Sequence, residues 1–419
     1  MRGKKSVLKN CEIYTMLKAH ARKKHLSFHT PGHKDGRWDI TELAYSDNLA
    51  SPHGCIARAE KDIARALGAA KSYILTDGST SGVHAMLYAA KRLGVTTLAL
   101  SPLSHKSVFH GAAALSIRLV TFESEAELEQ ALSLADALFI TSPDYYGNIP
   151  DLENIRALCE KRSKMLLIDG AHGGHLHFNK RLYAGAYAHL WVDGVHKSLP
   201  ALTQGAVVSA STGALAEALL EGVDIFRTSS PSYPVMASVE YAVKYPENER
   251  LEVAVRAFAR ESGERVEVNE DWTKLCCVFG DAAYAAEKEL EKTGVYAEFC
   301  DGARLVFYLS PATKRKHFNA LKKALRRLFK RYPVSGNFEN KRAPAPLLLP
   351  ENAEKEWVDM QEATGKICAA ACGLFPPCTP LIRVGERVTE EKIRALQKAI
   401  NVFGVKDGKI SVFIGETKE

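Results

Sequence analysis

No apolar run in these 419 residues reaches the roughly 18–20 needed to cross a bilayer as a helix. The basic start, MRGKKSVLKN, has no apolar stretch behind it and makes a poor signal peptide. Neither GxGxxG nor a Walker A pattern is present, so dinucleotide or nucleoside-triphosphate binding is not indicated. Internal repeats and low-complexity tracts are missing as well. The nine cysteines are an odd number scattered over a long chain. That pattern suits reduced thiols in a cytoplasmic protein better than a disulfide framework. With 46% hydrophobic and 25% charged residues, the chain is not disordered, collagen-like or coiled-coil. Its net charge of +7 is mild for this length and matters only if it is concentrated somewhere.

What is there is a rhythm. Residues 12–24 carry Ile13, Met16, Leu17 and Ala21 at helical spacing, and a second helix is expected over 57–67. From residue 72, short apolar runs follow one another: SYIL, TTLALS, IRLVTF, ALFITS, MLLI, HLWV and AVVSA. Helical stretches at 82–92, 125–135 and 152–162 separate several of them. Strands alternating with helices predict an α/β fold with a mostly parallel central sheet flanked by helices, over about 50–240. A second rhythm starts near 265. LCCVF, a helix at 281–292, VYAEF, RLVFYL and a helix at 313–331 predict a small α+β domain. Pro333, Pro344, Pro346 and Pro350 mark a linker, and the tail is expected to hold a helix over 354–371 and another from 389.

Several motifs can carry chemistry. Thr76-Asp-Gly-Ser-Thr-Ser-Gly82 links a strand to a helix. Glycine and hydroxyls at a helix N-terminus can cup a phosphate, and can equally be an ordinary N-cap. Asp169 ends the apolar run of Lys164–Asp169, at the strand end where α/β folds bind ligands. Lys197 follows His196 at the end of another apolar run. A lone lysine is normally a solvated charge. Together, a phosphate cup, a strand-end carboxylate and a strand-end lysine match what pyridoxal phosphate (PLP) requires. Its phosphate must be anchored, its ring nitrogen kept protonated, and its aldehyde held by a lysine as a Schiff base. His105, in Ser104-His-Lys-Ser107, could stack on the ring.

In these motifs the chain resembles the Orn/Lys/Arg decarboxylases, PLP enzymes of the aspartate-aminotransferase fold type I. The resemblance covers nearly the whole length. It rests on the order and spacing of Phe28-His-Thr-Pro-Gly-His-Lys34, Gly78–Ser81, Ser104–Ser107, Thr141-Ser-Pro-Asp-Tyr-Tyr-Gly147, Asp169 with Ala171-His-Gly173, His196-Lys197 with Leu199–Gln204, Ser229–Tyr233, Phe375–Leu381 and Gly385-Glu386. It implies that Lys197 carries the cofactor, Asp169 pairs with the ring nitrogen and His105 stacks on the ring. Ser79, Thr80, Ser81 and His196 would hold the phosphate. Ala171 and His172 would lie against the ring, with His172 also near the substrate. Thr228 would reach the phosphate of a partner subunit, which makes the expected assembly a homodimer with shared active sites. Glu298 would meet the distal cation of a basic amino acid. The implied reaction is decarboxylation of arginine, lysine or ornithine to the amine used in polyamine biosynthesis. His196 or Lys197 would return the proton to the α-carbon. An aminotransferase or another amino-acid lyase is the alternative.

The chain departs from the family pattern at Gly170 (often Glu), Gly194 and Val195 (often Ser-Thr), Ala370 (often Glu) and Cys378 (a glycine). These departures bear on the substrate more than on the cofactor. The implied organisation is an N-terminal arm (1–49), a PLP-binding domain (50–250), a small α+β domain (251–335) and a linker with a C-terminal domain (336–419). That is a compact form, without room for the N-terminal regulatory domain of larger members. No metal is expected: His172, His175 and His177 lack an acidic or thiol neighbour in sequence, and Cys368, Cys372 and Cys378 read as buried thiols. The helix at 313–331 carries nine Lys or Arg and no acid, with Phe318, Leu321, Leu325 and Leu328 as its apolar stripe. Without those nine charges the rest of the chain totals −2. A solvated face is preferred over a surface for nucleic acid or anionic lipid.

Overall fold

The computed structural model describes residues 7–101, 104–122, 125–333, 354–374, 380–399 and 401–414. Helices α1 (Glu12–Ala21) and α2 (Cys55–Leu67) come first. Then follow β1 (Lys71–Leu75), α3 (Ser79–Arg92), β2 (Thr97–Leu100), α4 (Lys106–Ala114), β3 (Arg118–Thr121), α5 (Glu125–Leu134), β4 (Ala137–Thr141), α6 (Leu152–Lys161) and β5 (Met165–Asp169). Next are β6 (Leu190–Asp193), the single turn α7 (Val195–Ser198), β7 (Ala206–Ala210), α8 (Gly213–Phe226) and α9 (Tyr233–Val243). The chain continues through α10 (Glu249–Ser262), β8 (Val266–Glu267), β9 (Lys274–Val278), α11 (Ala283–Glu291), β10 (Phe299–Cys300), β11 (Arg304–Tyr308) and α12 (Arg315–Arg331). The last elements are β12 (Lys355–Asp359), β13 (Cys372–Leu374), β14 (Pro380–Ile382), α13 (Glu390–Lys398), β15 (Val402–Phe403), β16 (Val405–Lys406) and β17 (Lys409–Phe413).

All seven apolar runs from residue 72 onward form strands, and the fold is α/β. Among the described residues no helix is long and apolar enough to cross a membrane. The chain forms two units. The first, within residues 1–89, 142–156 and 167–338, contains the strand order β1-β7-β6-β5, with β5 and β6 parallel and β7 antiparallel to both neighbours. Leu166 to Asp169 are all buried, which is why β5 reads as a continuous apolar run and not as an alternation. The first unit also contains the antiparallel sheet β10-β11-β9-β8. Val255, Phe258, Leu275, Leu305, Phe318 and Leu325 share its core. The stripe of α12 is buried as its spacing predicts, at about 1.5–3 kcal/mol per large apolar side chain. The second unit, within 90–141, 157–166 and 339–419, holds the parallel strands β4-β2-β3 and two small sheets, β12-β17-β16 and β14-β13-β15.

Local chemistry explains the joints of the first unit. Cys11 offers α1 no side-chain cap. The buried Glu240 carboxylate instead accepts the Glu12 and Ile13 N–H groups at 2.6 and 2.9 Å. Between β1 and α3, Gly78 has φ +88°, a left-handed conformation suited to glycine. Gly82 lets α3 lie close to the sheet, because a Cβ there would meet Val192 Cγ2 at 2.6 Å.

Two expectations need correction. The helix expected over 354–371 is instead β12, a single 3-10 turn and a loop. Its Glu- and Lys-rich composition favours a helix, but residues 355–359 pair antiparallel with 409–413, and that tertiary pairing overrides local propensity. In VYAEF the strand begins only at Phe299, where pairing with Val306 starts. Pro344, Pro346, Pro350 and the segment 375–379 with Cys378 lie outside the described residues.

Candidate active site

Strand β5 ends on Asp169 and β6 leads through Gly194 into α7, which carries Lys197. The two segments run very close: a Cβ on Gly194 would meet the Ala171 carbonyl oxygen at 2.5 Å. A Cβ on Gly170 would lie 3.0 Å from Val192 O and 3.3 Å from Asp193 Oδ1. A larger residue at 194 would require the Ala171 backbone to move, and one at 170 would require its neighbours to give by a few tenths of an ångström. Asp169 Oδ1 accepts the Ala171 N–H at 3.0 Å. Asp169 is buried, and burial pushes its carboxyl above the ordinary range, opposed by the charge of Lys197 and the Ala171 N–H. A buried carboxylate in this state lacks full compensation from the protein. A protonated pyridine nitrogen supplies the missing positive charge, so the site fits PLP at this position.

Lys197 Nζ lies 3.1 Å from His172 Nε2. The His172 ring is packed edge-on by Tyr145 and Tyr308, with centroids 4.8 and 5.5 Å away. Its backbone is held too, because Lys274 Nζ donates to the His172 carbonyl at 2.8 Å. Lys274 is only 1% exposed. It also donates to Thr273 Oγ1 at 3.0 Å and forms an ion pair with Asp271 Oδ2 at 2.8 Å. Asp271 also meets His175 Nε2 at 2.8 Å. Burial pushes the Asp271 carboxyl up, but His175 and Lys274 outweigh it and hold it well below the usual carboxylate range.

The other expected residues fall as follows. Ser79, Thr80 and Ser81 form the first turn of α3. The Ser81 hydroxyl donates to Asp77 Oδ1 at 3.0 Å and to Gly78 O at 2.9 Å. Asp77 Oδ2 accepts the Thr228 N–H at 2.9 Å, so Thr228 sits beside the cup of its own chain. His196 Nδ1 lies 2.9 Å from Gly205 O, and burial lowers the His196 pKa, against that carbonyl and with the charge of Lys197. Glu298 is raised by burial, opposed by the charges of Lys197 and Lys274. His105 belongs to the second unit, where it caps α4 by accepting the Ser107 N–H at 3.2 Å. Among the described residues no group of three or more His, Cys, Asp or Glu could hold a metal ion.

Sequence reasoning missed Lys274, Asp271, Tyr145 and Tyr308 as parts of this site, and took His175 only as a metal candidate. Asp271-Trp-Thr-Lys274 opens a strand more than a hundred residues from Asp169, and no local pattern distinguishes a buried lysine from a solvated one. The Tyr145-Tyr146 pair, noted only within a motif, packs on Cys276, Phe299 and Val306.

A family model described as Orn/Lys/Arg decarboxylase, major domain, matches residues 37–123 and 119–270. The chain belongs to this decarboxylase family. YaaO of Bacillus subtilis (strain 168), an uncharacterized protein, is 27% identical over 479 residues, spanning 98% of this chain and 100% of its own. The arginine decarboxylase of the same organism is 25% identical, over 93% of each chain. Among solved structures, the constitutive lysine decarboxylase of E. coli shares the fold with a TM-score of 0.73 and 18% identity, over 97% of this chain and 82% of that one. A serine palmitoyltransferase from S. paucimobilis, solved with bound PLP and myriocin, shares it at a TM-score of 0.56 and 14% identity, over 78% and 85%.

Proposed function

We propose that the protein decarboxylates a basic amino acid, arginine, lysine or ornithine, with PLP as cofactor, releasing carbon dioxide and the corresponding amine. The observation that carries this reading is the pair formed by Asp169, buried and short of positive charge, and Lys197 on the neighbouring strand end. Family membership and the PLP of the serine palmitoyltransferase neighbour support it.

When bound, PLP supplies an electron-withdrawing ring that accepts the electron pair left as carbon dioxide departs. Asp169 would keep the ring nitrogen protonated, Lys197 would hold the aldehyde carbon, and Ser79, Thr80, Ser81 and His196 would surround the phosphate. His105 would cover the ring. To act as a nucleophile, Lys197 Nζ must first shed a proton, and His172 Nε2 is placed to receive it. The same pair can return a proton at Lys197 Nζ, which favours Lys197 over His196 as the final donor. Glu298, raised by burial, suits a substrate ammonium or guanidinium that would relieve it. We further propose a homodimer in which Thr228 reaches the partner's phosphate, the domain boundaries given above, and a cytoplasmic setting consistent with the free thiols of the described cysteines.

The test is release of carbon dioxide from arginine, lysine and ornithine by the PLP-loaded protein. Lys197→Ala is expected to lower turnover by about 10⁴-fold, and to leave no PLP fixed to the chain after borohydride. Full turnover in that variant would overturn the assignment. Transamination of an added keto acid without carbon dioxide would instead favour an aminotransferase.

A further inference from the structure

The turn between β1 and α3 holds a carboxylate where a dianion is expected. Asp77 directly precedes Gly78 and the hydroxyls of Ser79, Thr80 and Ser81. A negative side chain there would repel a phosphate unless its oxygens are engaged elsewhere. Both of them are engaged. Oδ1 accepts the Ser81 hydroxyl at 3.0 Å, and Oδ2 accepts the Thr228 N–H at 2.9 Å. The Ser81 hydroxyl has a single proton, which it shares between Asp77 and the Gly78 carbonyl at 2.9 Å. That proton is not offered to a phosphate. Ser81 keeps its backbone N–H, one of the first four of α3, which have no intrahelical acceptor.

The same turn is tied to the other segments expected around the phosphate. The Gly78 N–H donates to the Gln204 carbonyl at 2.9 Å. The next carbonyl, that of Gly205, accepts the His196 N–H at 3.0 Å and lies 2.9 Å from His196 Nδ1. On the other side, Thr228 follows Arg227, whose side chain is only 5% exposed. Burial lowers the Arg227 pKa, and the charges of Glu60, Asp224 and Asp77 oppose that. Asp77 therefore joins the first turn of α3 to the 227–228 segment by two hydrogen bonds, within the field of a buried cation.

We propose that Asp77 is a positioning residue for the cofactor phosphate: its two oxygens hold the Ser81 side chain and the Thr228 backbone, so that the first turn of α3 and the 227–228 segment keep a fixed spacing around one phosphate group. The role assigned to Asp77 rests on that turn being the phosphate cup of the proposed site. Asp77 acts by accepting hydrogen bonds, and its charge is incidental. Asparagine can therefore replace it. Its Oδ1 can accept the Thr228 N–H, and the Ser81 hydroxyl can turn to accept from Nδ2 while still donating to Gly78 O. Alanine can do neither.

The experiment is an absorbance titration of the PLP-free full chain with PLP and with pyridoxal, which has the same aldehyde and ring but no phosphate. Asp77→Ala should bind PLP about tenfold more weakly than the parent and pyridoxal equally well. Asp77→Asn should stay within about threefold of the parent for both. Melting transitions check the fold of each variant. Should Asp77→Ala not fold, Ser81→Ala, which removes one of the two bonds, carries the same test at about threefold. Tighter PLP binding by both Asp77 variants would reveal a carboxylate that only repels, and would overturn the proposal. Equal losses for PLP and pyridoxal in Asp77→Ala would overturn it too, as the mark of a general structural defect. The double variant S79A/T80A separates the role of Asp77 from the reading beneath it. A preference for PLP over pyridoxal that S79A/T80A lowers and Asp77→Ala leaves intact would overturn the role of Asp77 alone. A preference that neither lowers would overturn the phosphate cup and the role of Asp77 with it.

Discussion

Asp169 and Asp271 are both buried carboxylates of the first unit, and their surroundings push them in opposite directions. Asp271 has His175 on one oxygen and Lys274 on the other, both supplied by the chain itself. Asp169 has one backbone N–H and the more distant charge of Lys197. One carboxylate completes an internal charge network. The other is pushed up by burial, with only those two groups opposing the rise. For this pair of carboxylates, the undercompensated one stands beside a lysine at the strand ends where α/β folds bind ligands, and the compensated one ties the scaffold together.

Substitutions can break this contrast. Asp169→Asn should cost the most in activity, about 10²–10³-fold in kcat, because in the proposed site it removes a preorganised charge beside the reacting ring. A kcat within threefold of the parent would place the ring elsewhere. Asp271→Asn should cost the most in stability. It leaves two basic groups buried without their anion, at about 3–5 kcal/mol, read from a urea midpoint. The pH dependences should differ in sign as well. The folded Asp271 carboxyl lies below its unfolded value. Its stabilisation is therefore full above the ordinary carboxylate range and is lost as pH falls through and below it. The folded Asp169 carboxyl lies above its unfolded value, so the PLP-free protein loses stability as pH rises through the ordinary range towards that raised value.

The placement of Asp169 and Lys197 at strand ends was legible in the sequence because each ends an apolar run, and a strand end is a local pattern. Ser79 to Ser81 were legible for the same reason, at a strand-to-helix joint. The Lys274–Asp271–His175 network was not, since its members meet only after β9 packs on the 142–156 segment and the His172 loop. The strand at 355–359 was misread as a helix because nothing in EKEWVDM announces its partner at 409–413. Burial and pairing across long separations decide these features, and a single sequence does not display them.

Smaller effects sharpen the contrast further. Gly194→Ala should push the Lys197 segment off the Ala171 carbonyl, at about 1–3 kcal/mol, and weaken the one charge that opposes the rise of Asp169. A weaker grip on PLP, seen in an absorbance titration, should accompany it. At the other extreme, Arg326 pairs with Glu261 on the exposed face of α12, where both side chains are more than half exposed. Arg326→Ala should move the unfolding midpoint by less than about 0.5 kcal/mol, since solvent already compensates both charges.

The most direct measurement is the thermal melting of the parent and of Asp169→Asn, each with and without PLP at neutral pH. Without PLP, the Asn variant should be at least as stable as the parent, because it removes a buried, undercompensated charge. With saturating PLP, the parent should rise by several degrees and the variant by clearly less, as binding energy is linked to the folded state. An Asn variant less stable than the parent without PLP, or an equal rise for both with it, would contradict the assignment of Asp169 as the carboxylate that awaits the ring.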